Sequence, residues 1–282
     1  MSGVDLGVFA RCFPAQAPEP LGRAIADAGF SSVQLNLSAI GLPTIPDAQA
    51  LADIDLVAVR RDLEAPGLRI WGLSGSYNLA HPDQERARAQ TEDAARLIRR
   101  APELGVVAVT LCTGSRNPDD MWRAHPDNDT AEAWADLLRN LGPLLDAADE
   151  ADVFLAVEPE PGNVISGTDA AVRLLDELGE RASRVGFILD PANLVSGRHR
   201  SEHAAVLAEA FDLLGPRTIC VHAKDSVPWA ETLEGDGVVN YDHVLSLWDA
   251  LPDVVPLIIQ DATEEQVPPL RDRLRAAAAV LL

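Results

Sequence analysis

The feature that most constrains this chain is a repeat of short, nearly continuous apolar runs separated by longer stretches with helical spacing. The runs are DLGVFA (5–10), SSVQLNL (31–37), LRIWGLS (68–74), VVAVTLC (106–112), VFLAVE (153–158), RVGFILD (184–190), RTICVH (217–222) and VPLIIQ (255–260). They are rich in β-branched residues and lack strict alternation, the pattern of strands covered on both faces. Between them the chain turns to Ala, Leu, Arg and Glu. In EAWADLLRNLGPLLDAADEA (132–151), Trp134, Leu137, Leu138, Leu141, Leu144 and Leu145 fall on one helical stripe. Thr130 supplies half a capping box ahead of that helix, and Thr168 with Gly179 brackets another. Strands that alternate with helices run parallel, joined by right-handed crossovers. Eight such units in 282 residues close most economically as an α/β fold, one (β/α)8 TIM barrel over residues 1–282. A doubly wound open sheet would carry a Gly-rich phosphate fingerprint after a strand, and neither GSYN (75–78) nor TGSRN (113–117) supplies one.

Charge narrows the function classes. Lys plus Arg number 23 against 44 Asp plus Glu, a net charge of −21 that repels phosphate backbones and anionic lipid heads. No basic cluster offsets it, so nucleic acid and membranes are not expected partners. No run approaches the ~18 apolar residues of a membrane helix, and MSGVDLGVFARCF lacks the pattern of a secretory leader. Cys12, Cys112 and Cys220 are scattered and odd in number, which reads as small core residues in a reducing cytoplasm. Assembly into a homo-oligomer stays open.

The strands are apolar but their C-terminal ends are not. Strand five ends in Glu158, strand six in Asp190, strand seven in His222 and strand eight in Gln260. In a barrel these ends ring one mouth, the face that carries active sites. Each shares the parity of an apolar column: Phe154 and Ala156 with Glu158, Gly186 and Ile188 with Asp190, Cys220 with His222, Ile258 with Gln260. Contact with water would make any single strand end polar. Four in succession with inward parity instead predict a divalent-metal site. Two carboxylates, an imidazole and an amide oxygen suit Mn²⁺, Mg²⁺ or Co²⁺ better than a thiolate-loving ion.

The stretches AVEPEPGNV (156–164), ILDPANL (188–194), VHAKD (221–225) and GDGVVNYD (235–242), with GSYNLAHPD (75–83) and TGSRNPDDMWRAHPDN (113–128), span nearly every strand end in order. In these the chain resembles the sugar phosphate isomerase/epimerase family of xylose-isomerase-like TIM barrels. The resemblance implies Glu158, Asp190 and His222 as metal ligands, with Mn²⁺ as the first choice of ion. The fourth position departs, because the family commonly has Glu where this chain has Gln260. A unit charge lost at ~4 Å is worth about 4 kcal/mol at an effective dielectric of 20, so metal binding is expected to weaken. Neighbouring Asp261 is directed outward by strict alternation, unless a bend at the strand end brings it in. The resemblance further implies substrate contacts for Asn78, His81, Arg116, Asn117, His125, Glu160 and Asn193, the last standing where relatives often place a His.

The implied activity is a divalent-metal-dependent isomerase or epimerase that abstracts a proton next to the carbonyl of a small sugar, keto sugar or cyclitol. Glu158 is the candidate base. With no second glutamate at strand eight, one-base chemistry is favoured over a symmetric two-carboxylate exchange. Lys224 is the candidate partner: 22 of the 23 basic residues are Arg, and the only Lys stands two residues after His222. Lys can move a proton where Arg cannot; a structural pair with Asp225 is the plain alternative. Other readings are a dehydratase or lyase of a cyclic polyol, metal-assisted hydrolysis, which the acidic balance disfavours, and a non-catalytic barrel that binds a ligand at a degenerate metal site. Trp71, Tyr77, Trp122 and Trp229 are expected to line a sugar face, and Trp134 and Trp248 to sit in helix core. A phosphorylated substrate would be clamped by Arg11, Arg116, Arg123 and Lys224, while His199, His203 and His243 read as solvated.

Overall fold

A computed structural model describes residues 5–228 and 237–281. Eight parallel strands form a closed barrel in sequence order, β8 returning to pair with β1. They are β1 (Leu6–Phe9), β2 (Ser32–Leu35), β3 (Arg69–Ser74), β4 (Ala108–Cys112), β5 (Phe154–Glu158), β6 (Val185–Leu189), β7 (Thr218–Ala223) and β8 (Leu257–Ile259). All eight coincide with the apolar runs of the sequence. The register slips once between β2 and β3, where Trp71 is the extra residue, and once between β6 and β7, where Ile219 is. Such bulges re-aim the side chains beyond them.

Helices wrap the barrel between strands. They include α1 (Pro18–Asp27), α2 (Ala48–Asp53), α3 (Leu56–Glu64), α4 (Gln84–Arg100), α5 (Ala131–Ala151) and α6 (Thr168–Leu178). A single turn α7 (Pro191–Leu194) and then α8 (His203–Leu214), α9 (Tyr241–Asp249) and α10 (Val267–Leu281) complete the described set. Helix α5 shows why the sequence takes this form. Thr130 Oγ1 accepts from the Ala133 N–H at 3.2 Å, and Asp152 ends the helix in a left-handed conformation (φ 56°). Its stripe of Trp134, Leu137, Leu141, Leu144 and Leu145 is buried, with Leu138 at the margin. The expected cap at Thr168 shifts by one residue. Gly167 is the N-cap and Thr168 is already helical, while Gly179 ends that helix at φ 54°.

The core runs through the barrel and beneath the helices, with Phe187, Leu6, Leu35, Ile70 and Leu73 fully buried. All three cysteines are free and buried, and burial pushes the Cys12 thiol up to about 12. Among the described residues no helix is long and apolar enough to cross a membrane. Phe187, the largest fully buried side chain, lies on β6 three residues before Asp190. Phe187→Ala is expected to lower the unfolding free energy by about 3–5 kcal/mol in urea titration, with an unchanged m value.

Candidate active site

The C-terminal ends of the strands enclose a cavity of about 400 Å³. Its wall includes Phe9 of β1 and Arg11 beyond it, Gln34 of β2, Ser74 of β3, Thr110 and Cys112 of β4, and Glu158 and Glu160 at β5. Lys224 after β7 and Gln260 and Asp261 after β8 close the ring, with Trp122 at the rim.

Three side chains converge behind its wall, and of them Glu158 lines the cavity itself. Glu158, Asp190 and His222 each offer a ligand atom, all within 4.8 Å of one another and all buried. Asp190 caps α7: its Oδ1 accepts from the N–H groups of Ala192 at 2.9 Å and Asn193 at 3.3 Å. That fixes the carboxylate plane and leaves Oδ2 buried without a hydrogen bond. His222 Nε2 lies 2.9 Å from Gln34 Oε1, and Nδ1 lies 3.3 Å from Glu158 Oε1. With Gln34 accepting, the Nε2 proton is held away and Nδ1 faces the carboxylates, the arrangement expected of a ligating imidazole with a supporting partner. Two carboxylate oxygens and a ring nitrogen, with Asp190 Oδ2 buried and making no hydrogen bond, form a set that fits a divalent ion.

Asn193 bridges the charged groups. Its Nδ2 donates to Glu158 Oε1 at 3.0 Å, and its Oδ1 accepts from Lys224 Nζ at 3.1 Å. Lys224 Nζ also lies 3.3 Å from Asp190 Oδ2 and 3.7 Å from Asp261 Oδ2. The alternative pairing of Lys224 with Asp225 is not formed; Asp225 accepts instead from the backbone N–H groups of Ser226, Val238 and Val239.

These neighbours set the charge states. Burial opposes ionisation of Glu158, but His222 and Lys224 outweigh it and hold the carboxyl below its ordinary value. Burial likewise opposes a charged His222, and Glu158 and Asp190 prevail, so its pKa is raised. Asp190 goes the other way, since burial raises it beyond what Lys224 offsets. Burial disfavours the Lys224 ammonium, yet Asp190, Glu158, Glu160 and Asp261 drive its pKa up. Glu160 is pushed up to about 8 by burial and by the Glu158 charge.

Gln260 keeps strand geometry, its N–H donating to the Ala223 carbonyl at 3.0 Å, and its side chain lines the cavity. Asp261 departs from the expectation. It adopts a left-handed backbone (φ 54°), which breaks alternation and turns its carboxylate toward Lys224 instead of outward.

Six expected substrate contacts lie outside the lining of this cavity: Asn193, which is bonded to Glu158 and Lys224, and five residues of the loops after β3 and β4. Asn78 is tied to Ser115 by paired bonds, Oδ1 accepting from its N–H at 2.9 Å and Nδ2 donating to its carbonyl at 2.9 Å. His81 Nδ1 accepts from the Asp83 N–H at 3.0 Å, and Nε2 lies 3.1 Å from the Pro118 carbonyl. Arg116 is buried against Asp136 at 2.6 Å, which removes it from any phosphate clamp. Asn117 Oδ1 accepts from the N–H groups of Asp119 and Asp120, and His125 Nδ1 accepts from that of Asp127. Each of these five makes bonds to the backbone of the loops after β3 and β4, so these groups build the wall instead of facing the cavity. Arg123 also lies outside the lining.

Of the aromatic residues, Trp122 is 51% exposed on the cavity rim, whereas Trp71 and Tyr77 are buried. Trp229 lies outside the described residues, as do the first two residues of GDGVVNYD. Trp134 is buried and Trp248 half-buried, each donating its indole N–H, to Glu177 and to the Val255 carbonyl. Among the lining residues that had not stood out in the sequence are Gln34 and Asn36. A signal exists for both: they are polar side chains of one parity inside the apolar run SSVQLNL.

The chain as a whole matches a known family. The model of the xylose isomerase-like TIM barrel family matches residues 23–277, and the chain belongs to that family. Solved structures with the same fold include 3-keto-D-glucoside 4-epimerase from E. coli, 17% identical, covering 99% of this chain and 98% of that one at a TM-score of 0.69. L-ribulose 3-epimerase is 13% identical over 98% of this chain and 95% of its own, with a TM-score of 0.75. The IOLI protein, solved with a bound zinc atom, is 13% identical over 99% of each chain, with a TM-score of 0.69. No curated protein matches the chain in sequence.

The buried Arg116–Asp136 pair yields a direct test of the structural role assigned to it. Asp136→Ala strands a guanidinium in the interior and is expected to cost about 3–5 kcal/mol of stability, read by urea unfolding.

Proposed function

We propose that this chain is an isomerase or epimerase of a small sugar, keto sugar or cyclitol, acting by proton abstraction next to a carbonyl. The observation that carries the reading is geometric: Glu158 lines a polar cavity and meets Asp190 and His222, with Lys224 alongside. The epimerase activities of the two structural neighbours support the substrate class. The net charge of −21 favours a small hydroxylated molecule over nucleic acid. Three buried, unpaired cysteines support a cytoplasmic setting.

In this reading Glu158 accepts the proton from carbon, since His222 and Lys224 keep it ionised in a buried place. Glu160 shares the cavity and holds its proton near neutral pH, which equips it to return one to the neighbouring carbon or oxygen. The Lys224 ammonium can donate a hydrogen bond to an oxygen on which negative charge grows. Trp122 offers an exposed ring to the apolar face of a sugar. Glu158, Asp190 and His222 would hold a divalent ion, with the amide oxygen of Gln260 as a fourth donor. Bound there, such an ion (Mn²⁺ first, with Mg²⁺ or Co²⁺ suiting the same donors) would supply Lewis-acid polarisation of a substrate carbonyl. A zinc atom in the IOLI structure supports a divalent ion in general and not Mn²⁺ in particular. The neutral Glu160 also favours a second reading, a dehydratase of a cyclic polyol, in which it protonates the departing hydroxyl.

The decisive measurement is solvent-deuterium exchange into a panel of keto sugars and inososes, with and without added Mn²⁺. Exchange at a carbon beside the carbonyl is expected, and Glu158→Gln lowers its rate by about 10²–10⁴-fold. Absence of exchange across the panel overturns the reading, and formation of an enone or diketone without epimer selects the dehydratase.

Glu160 also yields a pH dependence. Its folded pKa of about 8 lies above the ordinary 4.5, so the native state holds a proton that the unfolded chain releases in between. Its contribution is fully present below the ordinary value and is lost as pH rises through about 8. Chelator-treated protein is expected to lose urea resistance from pH 6 to 9, and Glu160→Gln to lessen that loss.

A further inference from the structure

The centre already contains a cation. Lys224 comes directly after β7, and its carbonyl accepts from the Tyr241 hydroxyl at 2.6 Å, which steadies the backbone from which its side chain reaches back. Its Nζ stands 3.3 Å from Asp190 Oδ2 and 3.1 Å from Asn193 Oδ1. Asp190 Oδ2 is the buried carboxylate oxygen that lacks a hydrogen bond among the described residues, and Oδ1 is committed to two backbone N–H groups. It is therefore the oxygen that Asp190 has to give to a divalent ion. Ammonium and ion need the same atom.

We propose that the Lys224 ammonium competes with the divalent ion for Asp190 Oδ2, so that the ion is held weakly and exchangeably. This rests on the reading of Glu158, Asp190 and His222 as the metal centre. Two cations drawn to one oxygen repel each other, and Gln260 adds no charge to offset the repulsion. An ammonium on a flexible stem suits the part, because it is a compact charge that can shift between partners, unlike a planar guanidinium. The second partner is in place. Asp261, turned inward by its left-handed backbone, sets Oδ2 3.7 Å from Nζ, and this carboxylate is 61% exposed, outside the buried centre. When an ion takes Asp190, the ammonium moves toward Asp261.

The test is Mn²⁺ binding to the full chain after chelator stripping, measured by calorimetry and by the electron paramagnetic resonance signal of free Mn²⁺. Lys224→Met is expected to bind Mn²⁺ at least tenfold more tightly than the parent, and Asp261→Asn at least threefold more weakly. The Asp261→Asn loss is expected to shrink sharply in the Lys224→Met background, because its effect passes through the ammonium. Lys224→Gln, which keeps a donor toward Asn193 without the charge, serves if the methionine variant fails to fold, and is expected to bind more tightly as well. Melting curves add a second readout: metal-free Lys224→Met is expected to melt below the parent, and Mn²⁺ to raise its melting temperature more. Should the parent bind Mn²⁺ and folded Lys224 variants bind it no more tightly, the competition is overturned and the metal centre stands. Should neither parent nor variants bind it, the metal centre falls as well.

Discussion

Closure of the barrel is the constraint on which the rest of this structure depends. β8 pairs with β1 through Leu257, Ile258 and Ile259 against Leu6, Gly7 and Val8. That pairing brings together strand ends from opposite halves of the chain. Glu158 and Gln34 are far apart in sequence, yet both contact the ring of His222. An open sheet of the same strands would leave β1 and β8 at opposite edges and spread these groups along a line. Closure also buries this centre, and burial gives each charge there its leverage over its neighbours.

The centre is held by a balance of charge. Two acids, an imidazole and an ammonium lie against one another at the strand ends, and the amides Gln34 and Asn193 orient them without adding charge. Buried ionic groups persist only where each has its partner. Asp190 shows the economy of the arrangement: one oxygen caps a helical turn and the other serves the site. The helical turn and the cavity are therefore coupled through one side chain.

Around the centre, the loops after β3, β4 and β5 form a wall braced by side-chain amides. Asn128 joins Arg116 N–H to the Gly162 carbonyl, and Asn163 joins Gly114 N–H to the Met121 carbonyl. Gly162 lies so close to this wall that a Cβ there would fall 1.9 Å from the Trp122 carbonyl oxygen. Small size at position 162 thus lets the loop that carries Trp122 settle over the cavity mouth. These loops frame the site, and they are built from residues for which the family resemblance implied contact with substrate.

The fold was legible in the sequence because strand and helix periods are local properties, and eight apolar runs left one economical closure. The polar ends Glu158, Asp190, His222 and Gln260 were legible for the same reason, since parity along a strand needs no knowledge of its neighbours. Partnership was not legible. Arg116 and Asn78 look like binding groups until folding sets Asp136 and Ser115 beside them. Gln34 acquires meaning only against His222, and a backbone angle at Asp261 that no alternation rule foresees turns its carboxylate inward. Composition determined that the chain would hold a single lysine. Only the tertiary structure decided that its ammonium would lie on the buried oxygen of Asp190, because the field at that point is the sum of charges from β5, β6, β7 and β8, and no stretch of sequence contains them all.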